Sequence, residues 1–304
     1  MAYQENLAVA NVGQLFSLLK SFLLGISWTL DSETISTSNP ALVMHKGGMY
    51  FNLSISAGLL TSAVHKAFGS GVSSSVTGDN WSGSFTSVWF FADPAKNYCH
   101  VVASKGAGDY YHFSVGQVDN LGMTGTTYYS TAQLWNTVTN LNRTTQNFPA
   151  FVNQFACVVP SGILNTSFAP SGDLATNTVR PMISMFRLSA DIFPYYGSGS
   201  VAGLIKVLDY VVDLTNSNTT GGVHLHSIPV TPIFNTYDHN LGIFPDVRVC
   251  SISGVSDGQE VTNSGDTWKI FPFMKRGLRS SLEAAVLPIN EVNSVNLGFA
   301  YKKT

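Results

Sequence analysis

His224 and His226 are separated by one residue, and on a strand that spacing sends both imidazoles to the same face. With Asp238 or His239 from the following segment they would make a three-ligand metal site, so His224, His226 and His239 are the metal candidates. The competing reading is a pair of surface or interface histidines hydrogen-bonded to neighbours, since spacing two recurs by chance. The expectation adopted is no metal, no cofactor and no catalytic residue. Cys99 and His100 are adjacent, which on a strand points them to opposite faces and rules out a local nucleophile-base pair. His112 could approach Cys99 from a neighbouring strand, but no surrounding motif supports a thiol nucleophile, and a packed cysteine is the expectation. Gly197-Ser198-Gly199-Ser200 with Gly203 has the look of a phosphate loop. A dinucleotide fingerprint needs a helix to follow it, whereas Val207 to Val212 reads as a strand. No Walker lysine and no His-Glu-x-x-His occurs in the chain.

The setting for these residues is a chain of 304 residues with 16 Lys plus Arg against 18 Asp plus Glu. A net charge of -2 with no long basic tract argues against coating nucleic acid, which needs clustered cations. The charged fraction is 11%, less than half of the roughly 25% usual in soluble domains, while 44% is apolar. Disorder is excluded, and the surface has to be made from neutral polar groups or covered by other protein. Cys99, Cys157 and Cys250 are an odd, widely spaced set, which reads as reduced thiols rather than a disulfide framework or a zinc motif. Glu5 near the start and Asn11, Gln14 and Lys20 within the apolar stretch argue against a signal peptide and against a membrane span. The Asn-x-Ser/Thr triplets at Asn52, Asn80, Asn142, Asn165 and Asn218 are then a matter of composition, not glycosylation.

The elements that would position these side chains are mostly strands. Apolar residues at Val12, Leu15, Leu19, Phe22, Leu23 and Ile26 follow steps of three and four, so a helix is predicted over about Leu7 to Leu24, capped by Asn6 and stopped at Gly25. Beyond it come short apolar or alternating runs separated by Gly, Asn, Asp, Ser and Pro. Tight turns are predicted at Lys46-Gly47-Gly48, Asp93 to Asn97 and Lys105 to Asp109, making residues 41 to 117 a meander without a crossover helix. The expected class is mainly β (α+β), sandwich-like, with antiparallel meander sheets and long loops after an N-terminal helix. Three regions are drawn: 1–120, helix plus meander; 121–180, a loop-rich insertion; and 181–304, a C-terminal β region, with a single domain as the alternative.

Several local patterns resemble a family of virion structural proteins of tailed bacteriophages. They are Met1-Ala2-Tyr3-Gln4, the helix Leu15 to Leu23, Trp28-Thr29-Leu30, and the hairpin His45 to Leu53. The blocks Trp89 to Asp93 and Tyr111 to Gly116 are similar too, as are Val247-Arg248-Val249, Gly258-Gln259-Glu260, Asp266 to Pro272 and Asn296 to Tyr301 near the end. The resemblance touches both ends of the chain, roughly half of it, and the central loops do not share it. It implies a virion subunit of the neck, collar, tail or baseplate, assembled in the cytoplasm of an infected bacterium, with no catalytic residues to carry over. The partners implied are further copies of the chain, in a ring, and other virion proteins of the neck or tail, with neither nucleic acid nor membrane. Contact elements are placed on the helix and the central loops: Leu15, Phe22, Tyr128, Tyr129 and Trp135. The alternative is a receptor- or glycan-binding tail or baseplate protein, motivated by Trp81, Tyr128 and Trp135 as stacking platforms.

Overall fold

The computed structural model describes residues 1–65, 68, 73–78, 81–106, 108–120, 127–132, 183–187, 223–230, 233–234, 237–238, 242–252, 254–272 and 297–304. Strand β1 (Ala2–Val9) leads into helix α1 (Val12–Leu24). The helix is shorter than the periodicity predicts, because Leu7 to Val9 extend and pair with a strand instead. Its cap is Asn11, whose side chain accepts a hydrogen bond from the Gln14 amide at 2.9 Å, while Gln14 accepts one from the Ala10 amide.

Five strands follow as a meander: β2 (Thr29–Thr34), β3 (Ala41–Lys46), β4 (Met49–Ser56), β5 (Leu59–His65) and β6 (Ser73–Gly78). The turn after β3 uses Gly47 at φ 57, the left-handed region that glycine enters without steric cost. A second meander, β7 (Phe85–Ala92), β8 (Tyr98–Gly106) and β9 (Asp109–Gln117), belongs to a different sheet. The single meander expected over 41–117 is therefore two, broken after β6.

The short β10 (Asp119–Asn120), β11 (Thr127–Ala132) and β12 (Ile183–Arg187) come next; of these β11 falls within the stretch 121–180 read as a loop-rich insertion. After them lie β13 (His226–Val230), β14 (Ile233–Phe234), β15 (Tyr237–Asp238), β16 (Gly242–Ser251), β17 (Glu260–Asn263), β18 (Asp266–Pro272) and β19 (Leu297–Lys302). Every strand pairing among the described residues is antiparallel, and the protein is mainly β with an N-terminal helix.

Three sheets stack as layers. The central one runs β1-β7-β8-β9-β11-β12; the N-terminal one β2-β3-β4-β5-β6; the C-terminal one β10-β16-β19-β18-β17, with β13 also on β16. One face of the central sheet carries Val88, Phe90, Cys99, Val101, Ala103, Phe113 and Val115 into a core shared with α1 and the N-terminal sheet. Phe22 of α1 meets Phe90 there at 5.5 Å between ring centroids, and Trp81 sits edge-on to Phe113 at 5.3 Å. The other face carries Trp89, Phe91, His100, His112 and Tyr129 against Phe244, Phe271, Phe299 and Tyr301 of the C-terminal sheet. Burial on both faces explains why Val88–Ala92 and Tyr98–Ala103 are nearly unbroken apolar runs rather than alternating ones.

Candidate functional site

The sequence-level metal candidates are only partly in view. His224 is exposed, His226 lies at the start of β13 with Nε2 buried and unpartnered, and their rings are 6.4 Å apart. Burial, then the neighbouring His224, lowers the His226 pKa. His239 lies outside the described residues, and among the described residues no three His, Cys, Asp or Glu side chains gather closely enough to hold a metal.

Cys99 and His100 do point to opposite faces of the central sheet. His112 lies on the His100 face, so it does not approach Cys99. Both described thiols are fully buried, and burial pushes Cys250 up to about 12 and Cys99 higher. Neither is a thiolate at neutral pH.

The contact residues proposed from sequence need correction. Leu15, Phe22, Tyr128 and Tyr129 are 0%, 8%, 5% and 0% exposed, occupied by packing within the chain. The helical stripe that reads as a docking face is what seats α1 on its own sheets. Trp81, offered as a sugar platform, is likewise fully buried, and Trp135 lies outside the described residues.

What the fold does gather is a polar seam between the central and C-terminal sheets. His100 Nε2 donates to the Pro245 carbonyl at 2.7 Å, and Nδ1 is 2.6 Å from the Ser114 hydroxyl. His112 Nε2 donates to the Pro272 carbonyl at 2.9 Å, and Nδ1 is 2.8 Å from the Tyr301 hydroxyl. A carbonyl can only accept, so each ring carries its proton on Nε2 and accepts at Nδ1 from a hydroxyl. Burial holds both rings neutral, with His100 down at about 4 and His112 at about 3.

Beside His100 lies a charged group of three. Lys96 Nζ reaches Asp119 Oδ2 at 2.8 Å and Asp246 Oδ2 at 3.0 Å, and the Tyr98 hydroxyl donates to the same Asp246 oxygen at 2.8 Å. Burial by itself would raise Asp246, but the Lys96 and Tyr98 hydrogen bonds outweigh it and hold the carboxyl below its usual range. Burial of Tyr98 next to that carboxylate pushes the phenol far up.

The reason for this concentration is the path of β16. Its first residues, Gly242 and Ile243, pair with β10, while Val247 to Ser251 pair with β19. Pro245 and Asp246 fall between the two pairings, and Asp246 adopts φ 51. A strand changing partners leaves backbone groups without a ladder, and these must be satisfied elsewhere. His100 takes up the Pro245 carbonyl, and Lys96 and Tyr98 hold the left-handed Asp246.

A second, more exposed network ties the chain ends together. Tyr3 donates to Glu5 at 2.7 Å, Lys269 bridges Glu5 at 3.3 Å and Glu260 at 3.7 Å, and Lys303 meets Glu260 at 2.9 Å. Lys303 also sits 4.9 Å over the Tyr3 ring.

Both networks join layers. Both nitrogens of each buried imidazole are occupied, which leaves neither ring a position from which to exchange a proton with a substrate. Sequence reasoning passed over the seam because its members come from the β7–β8 turn, β8, β9, β10, β16, β18 and β19, up to 189 residues apart in the case of His112 and Tyr301. The one local signal was a buried-type apolar run interrupted by histidine in two adjacent strands. No protein-family model matches the chain, and no curated protein matches it.

Proposed function

We propose that this chain is a structural subunit of a tailed-phage virion, an oligomeric component of the neck, collar or tail region that holds the particle together by protein-protein contacts. The observation that supports the reading most is how its reactive residue types are used. The buried histidines and the Lys96–Asp246–Tyr98 group are occupied in joining the central and C-terminal sheets, and the described thiols are buried, as suits a scaffold. The charge deficit of the whole sequence and the motif resemblance at both ends add to this. Assembly would take place in the cytoplasm of the infected host, with the virion as the final location.

The test is the solution state of the purified chain and its position in the particle. Light scattering is expected to give a ring-sized oligomer, or one that forms on adding neck or tail proteins, and electron microscopy of the particle should find its three-layer density there. A monomer at all concentrations that binds no neck, tail or baseplate protein overturns the proposal. The receptor- or glycan-binding alternative has lost two of its three aromatic platforms to the core, Trp81 and Tyr128.

A further inference from the structure

The two faces of the central sheet are held in chemically different ways. Against α1 and the N-terminal sheet the contact is an apolar core of Leu, Val, Ile, Phe, Met and Trp, supplemented by the Ser62–Ser130 hydroxyl pair at 2.6 Å. The described histidines of the N-terminal sheet, His45 and His65, alternate onto the opposite side of their strands from the core residues Met44 and Val64. Against the C-terminal sheet, two neutral histidines on adjacent strands each donate to a proline carbonyl of the opposite layer, one on β16 and one on β18. Tyr301 of β19, between those strands, stands 5.4 Å from His100 and 5.9 Å from His112, ring to ring.

We propose that His100 and His112 form an acid-operated latch, whose protonation releases the C-terminal sheet from the central sheet while the helix and the N-terminal sheet stay packed on the other face.

His100 is faced by Tyr98 of its own strand, Ser114 of β9, Tyr129 of β11 through Ser114, Asp246 of β16, Lys96 from the β7–β8 turn and Tyr301 of β19. Asp246 favours the charged ring and Lys96 opposes it, while burial outweighs both. His112 is faced by Pro272, Phe299 and Tyr301, and its burial outweighs the hydrogen bond to the Pro272 carbonyl, which favours the charged ring. Lys269, buried on β18, is engaged by Glu5 and Glu260.

The sign follows from these surroundings. Both rings take up a proton in the closed seam only near pH 4 and pH 3, whereas a released histidine does so near the ordinary value of roughly 6.5. The latch is therefore at full strength above about pH 6.5 and weakens progressively as pH falls toward those lower values. Asp246, Glu5 and Glu260 are also held below their ordinary range, which is roughly 4, so they add acid sensitivity only at lower pH. The window between about pH 6.5 and 5 belongs to the histidines: His100, His112 and, on β13 of the C-terminal sheet, His226, whose pKa burial also lowers, so the His100 and His112 variants isolate the part due to the latch.

Hydrogen exchange followed by mass spectrometry on the intact chain at pH 7 and pH 5, corrected for intrinsic rates, tests this. Peptides from β16, β18 and β19 should lose protection by about twentyfold for each histidine, about 500-fold for both, while α1, β4 and β5 hold theirs. Equal loss on both faces, or none in the C-terminal sheet, overturns the proposal with the natural sequence alone. In the variants His100→Gln and His112→Gln an amide can still donate to the carbonyl without titrating, so each should remove about twentyfold of the pH effect. His45→Gln should leave it intact. A pH dependence undiminished in folded His100→Gln/His112→Gln protein also overturns it.

Discussion

Asp246 offers the sharpest test of how the seam is built. It combines a left-handed backbone at φ 51 with two side-chain partners, Lys96 at 3.0 Å and the buried Tyr98 at 2.8 Å. Removing the carboxylate in Asp246→Ala leaves the Tyr98 hydroxyl, on a side chain with no exposed surface, without its charged acceptor. A hydrogen bond to a charged group contributes about 1.5–3 kcal/mol. The Lys96 contact adds under about 1 kcal/mol, because Lys96 is 36% exposed and keeps Asp119. Alanine in the left-handed region costs about 1–2 kcal/mol, which aspartate, with its short polar side chain, bears better. The alanine variant should therefore lose about 3–5 kcal/mol of stability. Asp246→Gly, free of the backbone cost, should lose about 2–3, and Asp246→Asn, which still accepts from Tyr98, about 1–2. Urea unfolding followed by the fluorescence of buried Trp89 and Trp268 measures the series, provided the slope with denaturant stays constant. In a double-mutant cycle, Tyr98→Phe and Asp246→Ala should couple by about 1–3 kcal/mol. Alanine no worse than asparagine, or a coupling near zero, would refute the account of the kink.

Three further outcomes are expected. At Gly298 in β19 an added Cβ would lie 2.4 Å from the Phe271 carbonyl oxygen and 2.5 Å from Ile252 Cγ2, so Gly298→Ala should cost about 1–3 kcal/mol by calorimetry or urea unfolding. Alkylation mapped by peptide mass spectrometry should find Cys99 and Cys250 unmodified in the folded protein and both labelled in denaturant, since each thiol is buried and raised in pKa. Chelator should leave the thermal midpoint unchanged, with no stoichiometric metal by elemental analysis; a drop on chelation would return His224, His226 and His239 to consideration as ligands.

Local physics explains where the sequence was readable. The hairpins at Lys46-Gly47-Gly48, at Asp93 to Asn97 and at Lys105 to Asp109 form where glycine and turn residues separate apolar runs, since turn geometry depends on a few adjacent residues. The helix was visible but mislocated at its start, because Val9, three residues before Val12, fits the helical period and an edge strand alike. Only pairing with Phe85 decides between them. Strands β5 and β11 went unread. Each is half polar, as in Leu59-Leu60-Thr61-Ser62 and Thr127-Tyr128-Tyr129-Ser130, and gains its identity from the sheet around it.

Composition, charge and turn chemistry belong to the sequence itself: a mainly β chain, poor in ionic groups, with three widely spaced cysteines. Which side of an apolar residue is inside, and inside what, was decided only by the stacking of three sheets. That stacking turned Leu15, Phe22, Tyr128 and Tyr129 from contact candidates into core, and set His100 and His112 against carbonyls 145 and 160 residues away. Hydrophobic burial has no direction in a sequence, and a hydrogen bond between layers has no period, so neither leaves a trace that spacing alone can detect.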